Sequence, residues 1–326
     1  PDGALIVTER EGALRIVRDG AVSDPIAGLP DIAVVGQGGL LDVALAPDFA
    51  DTGEIYLTFS DPGEGGQGTA LARAVLEGWQ DGAAELANLE TLFSMEKKTG
   101  TGHHFGSRIV FAGDGTVFIT TGDRGDSDRA QDFADTAGAV LRLNRDGSIP
   151  ADNPFARGED AAPEIWSKGH RNLQGAALDP QTGALWTVEH GARGGDEINR
   201  PEAGKNYGWP VISYGRHYSG RKIGVGAEAP GYEQPEYYWD PSIAPSGLAV
   251  YSGEMFPEWQ GDLLVGALKF QLLVRLDRNE AGEIVDEERM LDGEFGRIRD
   301  VTVAPDGSIF LLTDEDPGAI IHVTRG

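Results

Sequence analysis

Several side chains able to do chemistry are spread along this sequence, next to apolar runs that look like strands. His104 can exchange a proton near neutral pH, and Asp123 adds a carboxylate. Strong cations and neutral hydrogen-bonding groups complete the set: Arg171, Lys269, Arg297, Arg299, Gln37, Asn172 and Ser242. If the fold gathers these residues, they form an electropositive pocket suited to a compact anion.

Each of these residues also has a purely structural interpretation. His104 could be a structural histidine, and Arg171 could bond carbonyl groups that link successive units of the fold. Arg297 and Arg299 lie two apart in an extended stretch, so they share one face. That face could be a fork for a carboxylate or an ordinary solvated surface.

Asp123 and Lys269 have alternatives of the same kind. Asp123 could cap the turn in GDRGDSD, and Lys269, in ALKFQLL, could be an ordinary surface lysine. The Asp-rich stretch is similar to a calcium loop, but it lacks the acidic residue at the twelfth position of an EF-hand.

The acidic composition limits the classes of partner. The 326 residues include 53 acidic and 27 basic ones, a net charge of −26. Such a surface repels phosphate backbones and anionic lipid, so we expect no nucleic-acid or membrane-surface partner. It fits either adaptation to salt or an ordinary acidic secreted protein.

Other features of the composition bear on membrane insertion, disulfide formation and export from the cell. No apolar run approaches the roughly 18 residues of a membrane-spanning helix, so we expect a soluble chain without membrane insertion. The chain has no cysteine, hence no disulfide and no thiolate chemistry. No signal peptide is evident, although a cleaved one would leave no trace.

An internal repeat supplies the elements that would position the candidate residues. Its unit is a turn followed by an apolar strand, and Asp-Gly between apolar runs is typical of a tight hairpin. The six copies are Pro1-Asp2-Gly3 with ALIVTER, Thr52-Gly53 with EIYLTFS, Asp114-Gly115 with TVFITTGD, Thr182-Gly183 with ALWTVEH, Gln260-Gly261 with DLLVGALK, and Asp306-Gly307 with SIFLLTDE. Five copies have a strand before the turn, at 40–46, 108–112, 173–179, 246–252 and 298–304; third strands follow at 13–17, 139–147, 272–282 and 319–326.

We therefore predict an all-β fold, a six-bladed β-propeller with four-stranded antiparallel blades. A β-sandwich would lack the repeat, and a parallel α/β sheet would need amphipathic helices; residues 78–92 are expected to form a loop or one short helix. No linker divides the chain, so residues 1–326 are predicted to form a single domain, with the first strand of the first blade missing at the N-terminus. In a propeller, the loop before the first strand of each blade and the loop after the second strand lie on the same face. The candidate residues lie in these loops.

Longer motifs extend this interpretation to a known family. They are GQGGLLDVALAPDF (36–49), HFGSRIVFAGDGTVFITTGD (104–123), GHRNLQGAALDP (169–180), DEIN…GKNYGWP (196–210), PEWQGDLLVGALK (257–269) and RIRDVTVAPDGSIFLLTD (297–314). Together they resemble the soluble glucose/sorbosone dehydrogenase family that depends on pyrroloquinoline quinone (PQQ), above all its bacterial aldose sugar dehydrogenases. The resemblance covers nearly the whole chain, in order. It implies a six-bladed β-propeller that binds PQQ with calcium, oxidises the anomeric carbon of aldoses to lactones, and is periplasmic or secreted.

The resemblance also assigns roles to single residues. It implies that His104 is the general base, oriented and charged by Asp123, while hydride passes from the sugar to the quinone. Arg171 is implied to stabilise the negative charge that develops on the quinone oxygen. The implied cofactor contacts are His104, Arg171, Gln37, Asn172, Ser242, Lys269, Arg297 and Arg299.

The metal sites are implied in the same way. The main-chain carbonyls of Gly191 and Ala192 match calcium ligands, and calcium would polarise the reacting carbonyl. Relatives usually have proline in place of Ala192, a change that a carbonyl ligand tolerates. A second, structural calcium is expected near Glu197 and Tyr207.

On this interpretation the partners are an aldose substrate and a soluble electron acceptor, and we expect a monomer or homodimer. Substrate selection is expected to lie in loops 59–70 and 211–235, with the insertion 213–232 at the mouth.

Two alternatives stay open: a calcium-dependent lactonase-type hydrolase and a non-catalytic ligand-binding propeller. Such a hydrolase would hold its metal with Glu, Asn and Asp side chains, whereas this set is rich in Arg and Lys. The joint presence of His104, Asp123 and the cations disfavours the binding propeller.

Overall fold

The computed structural model describes residues 3–80, 82–158 and 160–326. Its strands form six antiparallel sheets, which confirms the predicted six-bladed β-propeller. Four sheets have four strands, as predicted, while the first and sixth have three described strands each. Among the described residues, no helix combines the length and apolarity needed to cross a membrane.

Two compact units make up the chain, Pro1–Trp166 and Ser167–Gly326. The single domain over residues 1–326 stays a prediction, and Pro1 and Asp2 of the first predicted turn lie outside the described residues.

The first unit carries the first three sheets. The first sheet has β1 (Leu5–Glu9), β2 (Ala13–Arg18) and β3 (Ala21–Val22). The second has β4 (Leu40–Leu45), β5 (Glu54–Gly63), β6 (Gly66–Glu77) and β7 (Glu85–Ser94), with the short helix α1 (Phe49–Thr52) between β4 and β5. The third has β8 (Gly106–Phe111), β9 (Thr116–Thr121), β10 (Ala139–Asn144) and β11 (Ile165–Lys168), which runs past the unit boundary, and a 3-10 helix at Ser127–Gln131.

The second unit carries the remaining sheets. The fourth sheet has β12 (Leu173–Leu178), β13 (Leu185–Glu189), β14 (Asp196–Asn199) and β15 (Tyr237–Trp239). The fifth has β16 (Pro245–Val250), β17 (Leu263–Ala267), β18 (Leu272–Arg278) and β19 (Ile284–Met290), with a 3-10 helix at Pro257–Trp259. The sixth has β20 (Ile298–Val303), β21 (Ile309–Thr313) and β22 (Ile320–Val323).

The strands predicted around the repeated turns are all present, but the expectation of a loop or short helix over residues 78–92 is wrong from Glu85 to the end of that segment. From Glu85 onward this segment forms β7, which pairs antiparallel with β6. Leu86 and Phe93 of β7 are buried, whereas Glu85 and Glu90 face solvent. Two register shifts interrupt the pairing, so the alternation of apolar and polar residues is broken in the sequence.

Apolar cores lie between successive sheets inside each unit. In the first unit, Leu14, Leu40 and Ile55 belong to one core and Tyr56, Ile119 and Leu141 to the next. In the second unit, Trp186 and Val265 share one core, and Leu264 and Ile298 share another. These cores bury the inward faces of strands whose side chains alternate from one face of the sheet to the other.

A bulge recurs near the start of the first strand in five sheets. The register shifts occur after Leu40, Gly106, Leu173, Pro245 and Ile298. Bulges redirect a strand and are common beside functional sites. Most candidate residues lie just before or at these bulges, so the repeat itself sets the direction in which they leave the sheets.

Candidate active site

The first unit joins His104 to Asp123 by a hydrogen bond. His104 lies in the segment that enters β8 and Asp123 follows β9, two strands that pair directly. Nδ1 of His104 lies 2.6 Å from Oδ1 of Asp123, and only 15% and 2% of the two side chains are exposed. An ionised carboxylate only accepts, so Nδ1 carries the shared proton and the basic lone pair is on Nε2. The pair is therefore arranged to take a proton from a hydroxyl group.

Neighbouring residues fix the backbone of His104. Its N–H donates to Oε1 of Gln37 at 2.8 Å, and its φ of 54° lies in the left-handed region. Gly122 approaches so closely that a Cβ there would collide with the carbonyl oxygen of His104. Oδ1 of Asp123 also accepts from the N–H of Gly125 at 2.7 Å. Gln37, a predicted cofactor contact, thus holds the main chain of the predicted base.

Arg124 is a functional candidate that the sequence analysis missed. Its fully buried guanidinium donates to the carbonyl of Thr101 at 2.7 Å and to that of His103, and it lies 3.5 Å over the ring of Phe105. Burial lowers the pKa of Arg124 to about 10, so the group remains charged near neutral pH. Arg124 therefore clamps the segment that carries His104. Only its position next to Asp123 could have drawn attention to it.

The second unit contains a cavity of about 780 Å³ whose lining includes four cationic residues. Its lining residues are Arg171, His190, Gly191, Ala192, Arg193, Gly194, Arg216, Tyr218, Asp240, Pro241, Ser242, Ala244 and Lys269. Arg171, Gly191, Ala192, Ser242 and Lys269 were predicted site residues, and the structure brings them together. Arg216 and Tyr218 come from the insertion that was predicted to lie at the mouth. Arg193 and Asp240 were not predicted.

Two cations of this cavity bond to main-chain carbonyls. Arg171 donates to the carbonyl oxygens of Gly191 at 2.6 Å and His190 at 3.2 Å, and Lys269 donates to that of Ser242 at 3.0 Å. In the described part of the chain, no carboxylate forms an ion pair with the four lining cations Arg171, Arg193, Arg216 and Lys269. Two buried arginines elsewhere do have acidic partners: Arg129 pairs with Asp135 at 2.7 Å and Arg278 with Asp179 at 2.9 Å. Uncompensated positive charge thus converges on one cavity of an acidic protein, which favours an anionic ligand.

A buried carboxylate, that of Asp196, ties two of the lining loops together. It accepts from the N–H of Gly191 at 2.9 Å, from Oγ of Ser242 at 2.7 Å, and from the N–H groups of Ile243 and Ala244 at 2.9 and 3.0 Å. Burial raises the pKa of Asp196, although these hydrogen bonds oppose the rise. The loop that carries Gly191 and the loop that carries Ser242 therefore hold a fixed spacing. The sequence analysis missed Asp196 because one of the two loops it joins, that of Ser242, is more than forty positions away.

The predicted calcium ligands Gly191 and Ala192 lie in the cavity lining. The carbonyl oxygen of Gly191 points at the guanidinium of Arg171, so it is directed towards positive charge. Main-chain carbonyl oxygens are donors that calcium accepts, and further oxygens would come from a bound anionic ligand. In this structure the Gly191 carbonyl is already taken up by the Arg171 guanidinium, so calcium ligation by Gly191 and Ala192 stays a prediction.

The second predicted calcium site, near Glu197 and Tyr207, stays a prediction. Burial and the adjacent carboxylate of Glu189 raise the pKa of Glu197 to about 8, and the buried Oδ1 of neighbouring Asn199 has no hydrogen-bond partner. Such surplus acceptors suit a cation. The hydroxyl of Tyr207 instead donates to the carbonyl of Arg200 at 2.6 Å. Among the described contacts, none joins Glu197 to Tyr207.

Three other predicted cofactor contacts lie in a separate polar network. Arg297 and Arg299 both donate to Oδ2 of Asp314, at 3.0 and 2.8 Å. Arg299 also donates to Oε1 of Gln174 at 3.2 Å, and Gln174 donates to Oδ1 of Asn172 at the same distance. The cavity lining described above does not include Asn172, Arg297 or Arg299. Their contact with a cofactor stays a prediction.

Comparison with known proteins gives a consistent result. The family model described as Glucose / Sorbosone dehydrogenase matches residues 1–322. The chain is 44% identical over 329 residues to the aldose sugar dehydrogenase YliI of Escherichia coli, covering 99% of this chain and 88% of that protein. A crystal structure of the soluble aldose sugar dehydrogenase of Escherichia coli in the apo-form superposes with a TM-score of 0.94, at 44% identity, over 99% of this chain and 94% of that one. The PQQ-bound form of the aldose sugar dehydrogenase of Streptomyces coelicolor superposes with a TM-score of 0.80, at 28% identity, over 99% of this chain and 91% of that one.

Proposed function

The chain belongs to the glucose/sorbosone dehydrogenase family, and from that premise we propose that it is a PQQ- and calcium-dependent aldose sugar dehydrogenase that oxidises C1 of aldoses to lactones. The observation that carries the proposal is the cavity lined by Arg171 and Lys269, neither of which forms an ion pair with a carboxylate of the described residues. PQQ is a polycarboxylate, and guanidinium and ammonium groups are the usual protein partners of carboxylates. The PQQ-bound relative from Streptomyces coelicolor supports the same cofactor.

His104 is the proposed general base. Nε2 accepts the proton of the C1 hydroxyl, while Asp123 holds the Nδ1–H tautomer and stabilises the imidazolium that forms. A base of this kind contributes a rate factor of about a hundred to ten thousand. When bound, the quinone supplies the two-electron oxidant that receives the hydride from C1.

The cavity residues are proposed to hold and polarise the cofactor. Arg171 and Lys269 place positive charge against its anionic oxygens. The main-chain carbonyls of Gly191 and Ala192 would hold the calcium ion, which supplies Lewis-acid polarisation. Ser242 lines the same cavity and is fixed by Asp196.

The remaining predicted residues are proposed in supporting roles. Gln37 positions the main chain of His104. The hydrogen-bond network around Asp314 contains three further residues proposed to contact the cofactor: Asn172, Arg297 and Arg299. A structural calcium ion at Glu197 is part of the proposal.

The proposed partners are an aldose and a soluble electron acceptor, with no nucleic acid and no insertion into a membrane. The proposed location is the periplasm or the exterior of the cell, and the proposed state is a monomer or homodimer. The cavity lining is rich in arginine rather than in the Glu, Asn and Asp side chains that the hydrolase alternative would use, which favours the dehydrogenase. The buried His104–Asp123 pair favours catalysis over a binding role.

Absorbance titration tests the proposal. Addition of PQQ and calcium to the apo-protein should give stoichiometric binding, and addition of D-glucose or another aldose should bleach or shift the bound chromophore. Stoichiometric binding without calcium would remove the metal from the proposal. An absence of PQQ binding by both absorbance and calorimetry would overturn the proposed function. The non-catalytic ligand-binding propeller would then be the favoured hypothesis.

A further inference from the structure

Two arginines that line the cavity, Arg193 and Arg216, lie directly opposite each other. The N–H of Arg193 donates to the carbonyl of Arg216 at 3.0 Å, and the N–H of Arg216 donates to the carbonyl of Arg193 at 3.2 Å. This exchange defines an antiparallel bridge. Residues paired in this way have their Cα atoms about 5.5 Å apart and project their side chains from the same face. Both side chains line the cavity and both residues are exposed.

Glycine allows the two segments to approach. A Cβ at Gly195 would collide with the main-chain nitrogen of Gly215, and a Cβ at Gly215 would collide with the carbonyl oxygen of Gly194. The bridge between Arg193 and Arg216 thus sits beside a contact that only residues without a side chain can make. The backbone contact therefore keeps the two arginines next to each other.

This placement has an electrostatic cost. Like charges directly opposite each other on antiparallel segments are destabilising. In the described ranges neither guanidinium forms an ion pair, and Asp240 is the single carboxylate among the described lining residues. Arg221 and Lys222 of the same hairpin add further positive charge. A bound anion between the two guanidinium groups would remove the repulsion.

The two arginines also differ from the cation already assigned to the cofactor. Arg171 is 8% exposed and is directed at two main-chain carbonyls. Arg193 and Arg216 are exposed to solvent. Each guanidinium is a planar fork that binds carboxylate or phosphate through two parallel hydrogen bonds.

We propose that Arg193 and Arg216 form an anion-binding subsite for the substrate, which favours aldoses that carry a carboxylate or phosphate remote from C1 over neutral aldoses. The inference rests on the proposed function, because it names the substrate class of the same site. A uronic acid and a sugar phosphate share the required chemistry, a negative charge at the end of the sugar opposite the reacting carbon.

Steady-state kinetics of the PQQ- and calcium-loaded enzyme test the inference. The substrates are D-glucose, D-glucuronate and D-glucose 6-phosphate, which separate the neutral sugar, the carboxylate and the phosphate. For at least one of the two anions, kcat/KM should exceed that of glucose by about tenfold, the effect of one charge-assisted contact. The preference should shrink as salt rises, because the arginines are exposed.

Variants locate the effect. In Arg193→Gln/Arg216→Gln, the ratio of kcat/KM for the preferred anion over glucose should fall to about one. Arg221→Gln, on the same hairpin but outside the described cavity lining, is the matched control and should keep the wild-type ratio. Equal kcat/KM for all three sugars in the wild type would overturn the inference, as would a double variant that retains the preference.

Two binding measurements keep the inference separate from the proposed function. If the double variant loses PQQ affinity in calorimetry and its sugar preference is unchanged, the arginines hold the cofactor and the inference is overturned. If no aldose is turned over, the proposed function fails, and calorimetric titration with D-glucuronate and D-glucose decides the subsite alone. Tighter binding of glucuronate that disappears in the double variant supports it, and equal binding overturns it.

Discussion

Oδ1 of Asp123 lies 2.6 Å from Nδ1 of the His104 imidazole and also accepts the N–H of Gly125 at 2.7 Å. The turn after β9 therefore fixes the carboxylate, and the carboxylate fixes the ring. Orientation and protonation of His104 thus depend on a group that is itself almost wholly buried.

Asp123→Asn should remove the charge while keeping the size of the side chain. The imidazolium that forms during proton abstraction would lose its stabilising partner, so kcat should fall by about a hundredfold or more. PQQ affinity should stay close to that of the wild type, because Asp123 is assigned to the histidine. Dye-linked kinetics and calorimetry measure the two quantities, and exposed Asp128→Asn is the matched control. A kcat within threefold of wild type would refute the role of Asp123.

Arg124→Met should loosen the segment before β8. Loss of the clamp leaves the carbonyls of Thr101 and His103 without their charged donor, and the unfolding free energy should drop by about 2 kcal/mol or more. We expect kcat to fall more than KM changes, because His104 would sample misaligned positions. Arg124→Lys should recover part of both losses, since it keeps a cation and a donor. If the Met variant is destabilised but keeps wild-type kcat, Arg124 is structural only.

Asp196→Asn should disturb the cavity from outside its lining. The amide has one acceptor oxygen and a donor group where the carboxylate accepts four hydrogen bonds, so stability should fall by about 2–4 kcal/mol. PQQ should bind more weakly, because the loops of Gly191 and Ser242 lose their common anchor. Denaturant unfolding and calorimetry measure these effects, with exposed Asp292→Asn as control. Unchanged affinity in a folded Asp196→Asn protein would show that the two loops are held by other contacts.

Asp314 gives a prediction for pH. Burial would raise the pKa of this carboxyl, but Arg299 and Arg297 hold it below its ordinary value of 3.8. Its contribution to stability is therefore fully present above the unfolded value and is lost as pH falls through the lower folded value. The stability difference between wild type and Asp314→Asn should be constant from about pH 7 to about pH 5 and should shrink towards about pH 2. A difference that is the same at every pH would show that the paired arginines do not act through the charge of Asp314.

The strands and their six-fold repetition could be predicted from the sequence, because each hairpin has the same local pattern of a turn dipeptide between two apolar runs. β7 could not, since its outward face is charged and two register shifts break its period. Those shifts depend on how β6 and β7 pack, which no local pattern records.

The residues of the candidate site likewise fall into those that a local sequence pattern marks and those that only the folded chain brings together. His104, Asp123, Arg171 and Lys269 stand next to strand ends and were found from that position. The Arg193–Arg216 bridge joins segments 23 positions apart through glycine contacts, so no local motif marks it. Arg297 and Arg299 were found as a pair, but only the structure shows that they share Asp314.

Dye-linked oxidation of D-glucose and other aldoses by the purified protein, with and without added PQQ and calcium, tests the central claim most directly. We expect turnover that requires both additions and that falls at least a hundredfold in His104→Ala, while PQQ binding by that variant remains largely intact. Turnover that is independent of PQQ, or a His104→Ala variant with wild-type kcat, would contradict it.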